Sequence, residues 1–121
     1  MPALINKKTK KIIAQKVMLA RTAFARAKGL MFERAGNFDY ALVFELRGET
    51  RMGASVHMMF VFFPIDVVYL NARREVVDVC SGLKPWALNY TPKSAAKYFI
   101  ELPAGTAGAK GILTGDVLEW G

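Results

Sequence analysis

Cysteine and histidine are almost absent from this 121-residue chain, which contains one of each, Cys80 and His57. A single cysteine excludes a disulfide within the chain and a zinc site built from several cysteines, and it is compatible with a reducing cytoplasm. A lone histidine in an apolar segment is usually a packed core residue. The sequence therefore predicts no metal centre and no cofactor, and we expect a cytoplasmic location.

Long hydrophobic runs are also missing. The longest, Met58–Phe63, is far shorter than the roughly 20 residues that a membrane-spanning helix needs. The stretch Ile12–Ala20 is interrupted by Gln15 and Lys16, and it lacks a clear signal-peptide cleavage site. We expect one soluble domain over residues 1–121, because a chain of this size has room for a single core.

Acidic residues are scarce at the N-terminal end. Residues 1–34 hold nine of the 17 basic residues against a single acid, Glu33, whereas the rest of the chain is close to neutral. Residues 1–11 are expected to form a basic hairpin or a partly ordered end, and they can attract nucleic acid. No aromatic residue interleaves these lysines, so we expect weak binding at most, and a solvated surface is the favoured alternative. The lysines concerned are Lys7, Lys8, Lys10 and Lys11.

Short predicted strands separated by turn residues make up most of the chain. Two short helices are expected, one capped by Thr22 and one over Pro103–Lys110, and Gly48–Arg51 is predicted to be a polar turn. This pattern is typical of a mostly β domain with minor α, either a small β-barrel or a strongly curved antiparallel sheet with one or two short helices. The predicted strands include Ala3–Asn6, Ile12–Ala20, Ala41–Leu46, Glu75–Cys80, Tyr98–Leu102 and Asp116–Trp120.

The segment Ser55–Tyr69 is almost wholly apolar. Neither of its alternating sets of side chains is polar, which predicts a strand buried on both faces. Pro64 cannot donate a hydrogen bond to a sheet, so it is expected to mark a bend before a second strand. Full burial predicts that Phe60→Ala or Phe62→Ala costs about 3–5 kcal/mol of stability.

Two carboxylates, Asp66 and Glu101, lie within apolar strands. Buried carboxylates need partners, and backbone amides or Arg26 would give them a structural role. A paired acid and base across a barrel mouth, as in glycoside hydrolysis, is the catalytic alternative. The sequence contains no nucleophile motif with its base and no nucleotide-binding glycine pattern, so the structural role is favoured.

Trp86 and Tyr90 lie in a long irregular stretch, Ser81–Lys97. Aromatic faces near amide and cationic donors suit a sugar or another small polar ligand, and they suit packing onto the core equally well. The favoured function is a non-catalytic module that binds a small ligand or a partner, ahead of a hydrolase and a nucleic-acid accessory protein. The candidate ligand-binding residues are Arg26, His57, Asp66, Trp86, Tyr90 and Glu101.

Four motifs, in order along the chain, resemble the Domain of Unknown Function 192 family. They are Arg26–Phe32, Pro64–Leu70, Tyr98–Gly105 and Gly115–Val117. The resemblance implies a small β-rich domain, found in bacteria, archaea and plants, with no established activity. This chain has Val56–Met59 where many bacterial relatives have an aromatic residue followed by Trp, Met and Lys. A role tied to that Trp or Lys therefore does not carry over.

Overall fold

The computed structural model describes residues 3–20, 30–31, 33–56, 58, 60–87 and 90–120. Within these ranges the chain forms eight strands and one short α-helix, α1 (Thr106–Ala109). The predicted helix after Thr22, and the candidates Arg26 and His57, fall outside the described residues. The strands are β1 (Leu4–Asn6), β2 (Ile12–Ala14), β3 (Val17–Ala20), β4 (Ala41–Thr50), β5 (Ile65–Leu70), β6 (Val76–Leu83), β7 (Ala96–Pro103) and β8 (Leu118–Glu119).

The large sheet has the strand order β3-β4-β7-β5-β6. Its pairs are antiparallel except β3 and β4, which run parallel. All six residues of β5 are buried, as expected for a strand that is covered on both faces. The prediction of a doubly buried strand after Pro64 is therefore confirmed.

A small sheet with the order β2-β1-β8 completes the fold. Among the described strands neither sheet closes into a barrel, so the structure confirms the mostly β class in its curved-sheet form. Side chains from the small sheet and α1 pack on one side of the large sheet, which we call the small-sheet face. Its buried residues include Leu4, Ile13, Val43, Val68, Leu70, Ile100, Leu102, Ala107, Leu118 and Trp120.

Irregular chain covers the opposite side of the large sheet, which we call the loop face. The covering segments are residues 51–56, 58, 60–63, 84–87 and 90–95, joined by an isolated bridge between Val56 and Tyr90. The side chains of this second core include Phe38, Leu42, Phe44, Val56, Met58, Val61, Phe63, Ile65, Val67, Tyr69 and Phe99. The large sheet is therefore the middle layer of the fold, buried from both sides.

Two predicted boundaries are wrong. The strand expected over Ile12–Ala20 divides at Gln15 and Lys16, where the chain leaves the small sheet and enters the large one. The turn expected at Gly48–Arg51 lies largely within β4, which continues to Thr50. Polar residues are tolerated there because this end of β4 is largely exposed.

The strand predicted over Ser55–Phe63 is also wrong. Phe60 has a φ of 58°, and the amide of Val61 donates to the carbonyl of Met58 at 3.1 Å, so the chain turns there. Phe62 is 57% exposed, which contradicts burial on both faces. The apolar pattern instead reflects side chains, among them Phe63, that point inward from an irregular cover.

Candidate functional site

Glu101 is a buried carboxyl group on the loop face. It lies on β7 between Leu42 of β4 and Val67 of β5, and its residue is 6% exposed. Its Oε1 atom has no hydrogen-bond partner among the described residues. Burial raises the pKa of Glu101 from 4.5 to about 8, because the charged form loses its hydration. Such a group is neutral through most of the physiological range.

Tyr69 supplies a second buried polar group on the same face. It is fully buried, and its hydroxyl also has no hydrogen-bond partner within the described part of the chain. It pairs in register with Phe99, two residues before Glu101, so Tyr69 and Glu101 are diagonal neighbours. Burial raises the pKa of Tyr69, and the charge of Glu101 is among the further causes.

Asp78 anchors the irregular cover to the sheet. Its Oδ2 accepts hydrogen bonds from the Tyr90 hydroxyl at 2.9 Å and from the Lys93 amide at 3.1 Å. Burial and this carboxylate raise the pKa of Tyr90 to about 12. Tyr90 also stacks on Tyr69, with ring centres 5.8 Å apart. Tyr90 therefore packs against Tyr69, and its hydroxyl already has a protein partner.

Asp66 points away from Glu101. It pairs with Leu102 on β7, one residue after Glu101, so the two side chains lie on opposite faces of the large sheet. Its carboxylate accepts hydrogen bonds from the amides of Gly82 at 2.8 Å and Ala107 at 2.9 Å. These bonds hold the start of α1 and the end of β6 against β5. The structure does not bring Asp66 and Glu101 together as a catalytic pair.

Replacing Asp66 by Asn should destabilise the fold by about 1–3 kcal/mol, because one of the two amides that donate to it loses its acceptor. Unfolding by urea, followed by circular dichroism, measures the change. Asp39→Asn is the matched control, since the ion pair of Asp39 with Lys16 is exposed and should matter little. Equal stability of the Asp66 variant and the parent would contradict the structural role.

Trp86 lies in an exposed aromatic cluster, formed with Phe60 and Phe62. The centre of its ring is 5.0 Å from that of Phe60 and 5.6 Å from that of Phe62. Phe60 and Trp86 have φ values of 58° and 63°, a region that bulky residues rarely occupy. The two aromatic residues predicted to share a ligand therefore have different surroundings, because Tyr90 packs inward and Trp86 outward.

The four N-terminal lysines occupy the turn between β1 and β2, and all are exposed. The side chain of Asn6 shapes this turn by accepting hydrogen bonds from the amides of Lys8 at 3.0 Å and Thr9 at 3.4 Å. Among the described residues, no cluster of His, Cys, Asp or Glu side chains could hold a metal ion.

Sequence reasoning missed Tyr69 and Asp78. Each is a polar residue within a largely apolar strand, Tyr69 in Ile65–Leu70 and Asp78 in Val76–Leu83. The same signal that singled out Glu101 could have found both residues. That signal could not have distinguished the two residues from each other. The Asp78 carboxylate accepts three hydrogen bonds, whereas the Tyr69 hydroxyl has no partner among the described residues.

Known proteins that are similar to this chain in sequence belong to an uncharacterised group. A UPF0127 protein of Thermococcus sibiricus is 44% identical over 117 residues, covering 97% of this chain and 73% of that protein. A UPF0127 protein of Pyrococcus furiosus is 43% identical over 117 residues and covers 97% of both chains.

The fold is also known from solved structures. A crystal structure of a protein of unknown function from Novosphingobium aromaticivorans matches with a TM-score of 0.86 at 23% identity, over 99% of this chain and 84% of that one. A structure from Sinorhizobium meliloti matches with a TM-score of 0.83 at 22% identity, over 98% and 91%. The sequence model of DUF192, described as an uncharacterised group, matches residues 4–120. The chain belongs to the DUF192 family.

Proposed function

We propose that this domain is a non-catalytic binding module that takes a small ligand on the loop face, at Glu101 and Tyr69. One observation carries the proposal: two buried polar atoms, Glu101 Oε1 and the Tyr69 hydroxyl, lie on the same face without a partner among the described residues. Buried polar groups in native proteins are normally hydrogen-bonded, so such exceptions are candidates for functional groups.

The surroundings define the chemistry of the ligand. Each unpaired group costs roughly 1–3 kcal/mol, which a ligand recovers if it donates to Glu101 or accepts from Tyr69. The rings of Phe44 and Phe99, stacked at 4.4 Å, line the neighbouring part of the same core. An apolar body that carries an amine fits both features, and a charged amine would favour the ionised form of Glu101.

Binding is a better fit to this site than hydrolysis. The acid and base mechanism needs a second carboxylate on the same side as Glu101. Asp66 lies on the opposite face, and Asp78 is fixed by its bonds to the loop. These positions support a binding role for the loop face.

The test is calorimetric titration with small aromatic amines such as benzylamine and phenethylamine. Glu101→Gln and Tyr69→Phe should each weaken binding by about tenfold, which corresponds to the loss of one buried hydrogen bond. Glu119→Gln is the control, because this carboxylate lies on β8 in the small sheet and is exposed. Affinities that Glu101→Gln and Tyr69→Phe leave unchanged would contradict the proposal.

A protein partner is the second candidate, and the aromatic cluster of Phe60, Phe62 and Trp86 favours it. Holding Phe60 and Trp86 at positive φ costs of order 1–3 kcal/mol each, although the cluster leaves apolar surface open. An open apolar surface should bind the dye anilinonaphthalene sulfonate. Loss of dye binding in Phe62→Ser and Trp86→Ser would support a docking surface, and unchanged dye binding would contradict it.

Weak, salt-sensitive binding of nucleic acid by the exposed turn lysines stays a prediction. A cytoplasmic location also stays a prediction, and it rests on the single cysteine. Within the described ranges, no helix has both the length and the apolar character to cross a membrane.

A further inference from the structure

A small cleft lies at the edge of the small-sheet face, on the other side of the large sheet from Glu101. Its volume is about 80 Å³, several times the roughly 10–15 Å³ of such space that one water molecule needs. Both charged and apolar side chains reach it, from strands that are distant in sequence. The lining residues are Leu19, Ala20, Val43, Glu45, Arg74, Tyr98 and Trp120.

Arg74 provides the positive charge of this cleft. Its guanidinium carbon lies 3.9 Å from the ring centre of Trp120 and 5.4 Å from that of Tyr98. One nitrogen, Nη1, donates to the carbonyl of Trp120 at 3.1 Å. Within the described chain, Nε and Nη2 donate to no acceptor, and Arg74 forms no ion pair. A fork of two parallel donors is therefore left for a carboxylate.

The backbone holds Arg74 in place. Its φ is 62°, a conformation that costs a residue other than glycine roughly 1 kcal/mol or more. Its amide donates to Asn71 at 2.9 Å, and its carbonyl accepts from Leu118 of β8 at 3.0 Å. The turn and the strand that leads to Trp120 are thereby tied together, so the guanidinium and the indole form a preorganised pair.

Glu45 adds a negative charge to the lining of the cleft. It pairs with Tyr98 across β4 and β7, and its carboxylate is largely exposed, 3.7 Å from the Lys97 ammonium. A ligand with only negative charge would be repelled by Glu45, whereas one that also carries an ammonium group would be attracted. The apolar part of the lining could contact a short aliphatic group, and it consists of Leu19, Ala20 and Val43.

We propose that this cleft is a second binding site, specific for a small zwitterion of the size of glycine or alanine. The ligand carboxylate would pair with the free edge of Arg74, and its ammonium group would face Glu45. The site is separate from the loop face, since Glu45 and Glu101 lie on opposite faces of the large sheet.

The test is an NMR titration at constant ionic strength that follows the Trp120 indole and Arg74 Nε signals. The probes are L-alanine, glycine, acetate and methylammonium chloride. L-Alanine or glycine should bind at least about tenfold more tightly than acetate or methylammonium, since only the amino acids engage both charges. Equal affinity for acetate and L-alanine, or no shift of either signal, would overturn the proposal.

Two variants assign the roles of the charges. Glu45→Gln alters an exposed side chain, so the fold should persist, and it should reduce the affinity for L-alanine to that for acetate. Arg74→Lys keeps the charge but removes the fork, and it should weaken both L-alanine and acetate by about tenfold. Unchanged affinity in either variant would overturn the assignment. The Glu101→Gln variant should bind L-alanine as the parent does, and a loss there would contradict a separate site.

Discussion

Replacing Glu101 by Gln is expected to remove a large pH dependence of stability. In the folded chain burial raises the pKa of Glu101 from 4.5 to about 8, so the native state retains a proton that the unfolded chain releases. The free energy of unfolding should fall by about 1.4 kcal/mol per pH unit as pH rises between these values. Below the lower value both states are protonated, and above the upper value both are ionised. The full change is on the order of 5 kcal/mol.

The neighbouring titratable groups on the loop face should not mask this effect. The pKa values of Tyr40 and Tyr69 are raised from 10.0 and that of Cys80 from 9.0, so all three titrate above the window.

Urea unfolding at several pH values from 5 to 8.5 measures the slope, and the informative quantity is the difference between the Gln variant and the parent. Glu45→Gln should follow the parent, because its carboxylate is exposed. Parallel curves for the parent and Glu101→Gln would contradict a buried, neutral Glu101.

Adjacent phenylalanines should respond very differently to truncation. Phe63 is 8% exposed and packs against Phe38 with ring centres 5.6 Å apart, so Phe63→Ala should cost about 3–5 kcal/mol. Phe62 faces outward beside Trp86, and Phe62→Ala should cost less than about 1 kcal/mol.

The two variants control for each other, because they remove the same side chain from neighbouring positions. Denaturant unfolding gives both values directly. Similar costs at the two positions would mean that residues 55–63 form the doubly buried strand predicted from sequence.

The sequence predicted β5 well and its preceding segment badly, for one physical reason. An apolar run reports that side chains are buried, but not which groups the backbone bonds to. In Ile65–Leu70 the two properties coincide, since the strand is central and fully covered. In the preceding segment side chains are buried although the backbone does not pair as a strand. The chain turns at Phe60, and its backbone bonds to the loop around Trp86.

The candidate site was partly predictable. A carboxylate in an apolar strand identified both Asp66 and Glu101, but the faces they occupy depend on the register between β5 and β7, which a single sequence does not encode. The cleft at Arg74 was missed for a similar reason. Glu45, Arg74, Tyr98 and Trp120 come together only through pairing of distant strands.

The most direct test of the loop-face site is the pKa of the Glu101 carboxyl group, measured by carbon-13 NMR. The account predicts a midpoint near 8 in the free protein, as burial dictates. It also predicts a midpoint at least about one unit lower when an amine ligand saturates the site, since a paired cation favours the ionised carboxylate. A midpoint near the ordinary 4.5 in the free protein would contradict it, because Glu101 would then be hydrated or already paired.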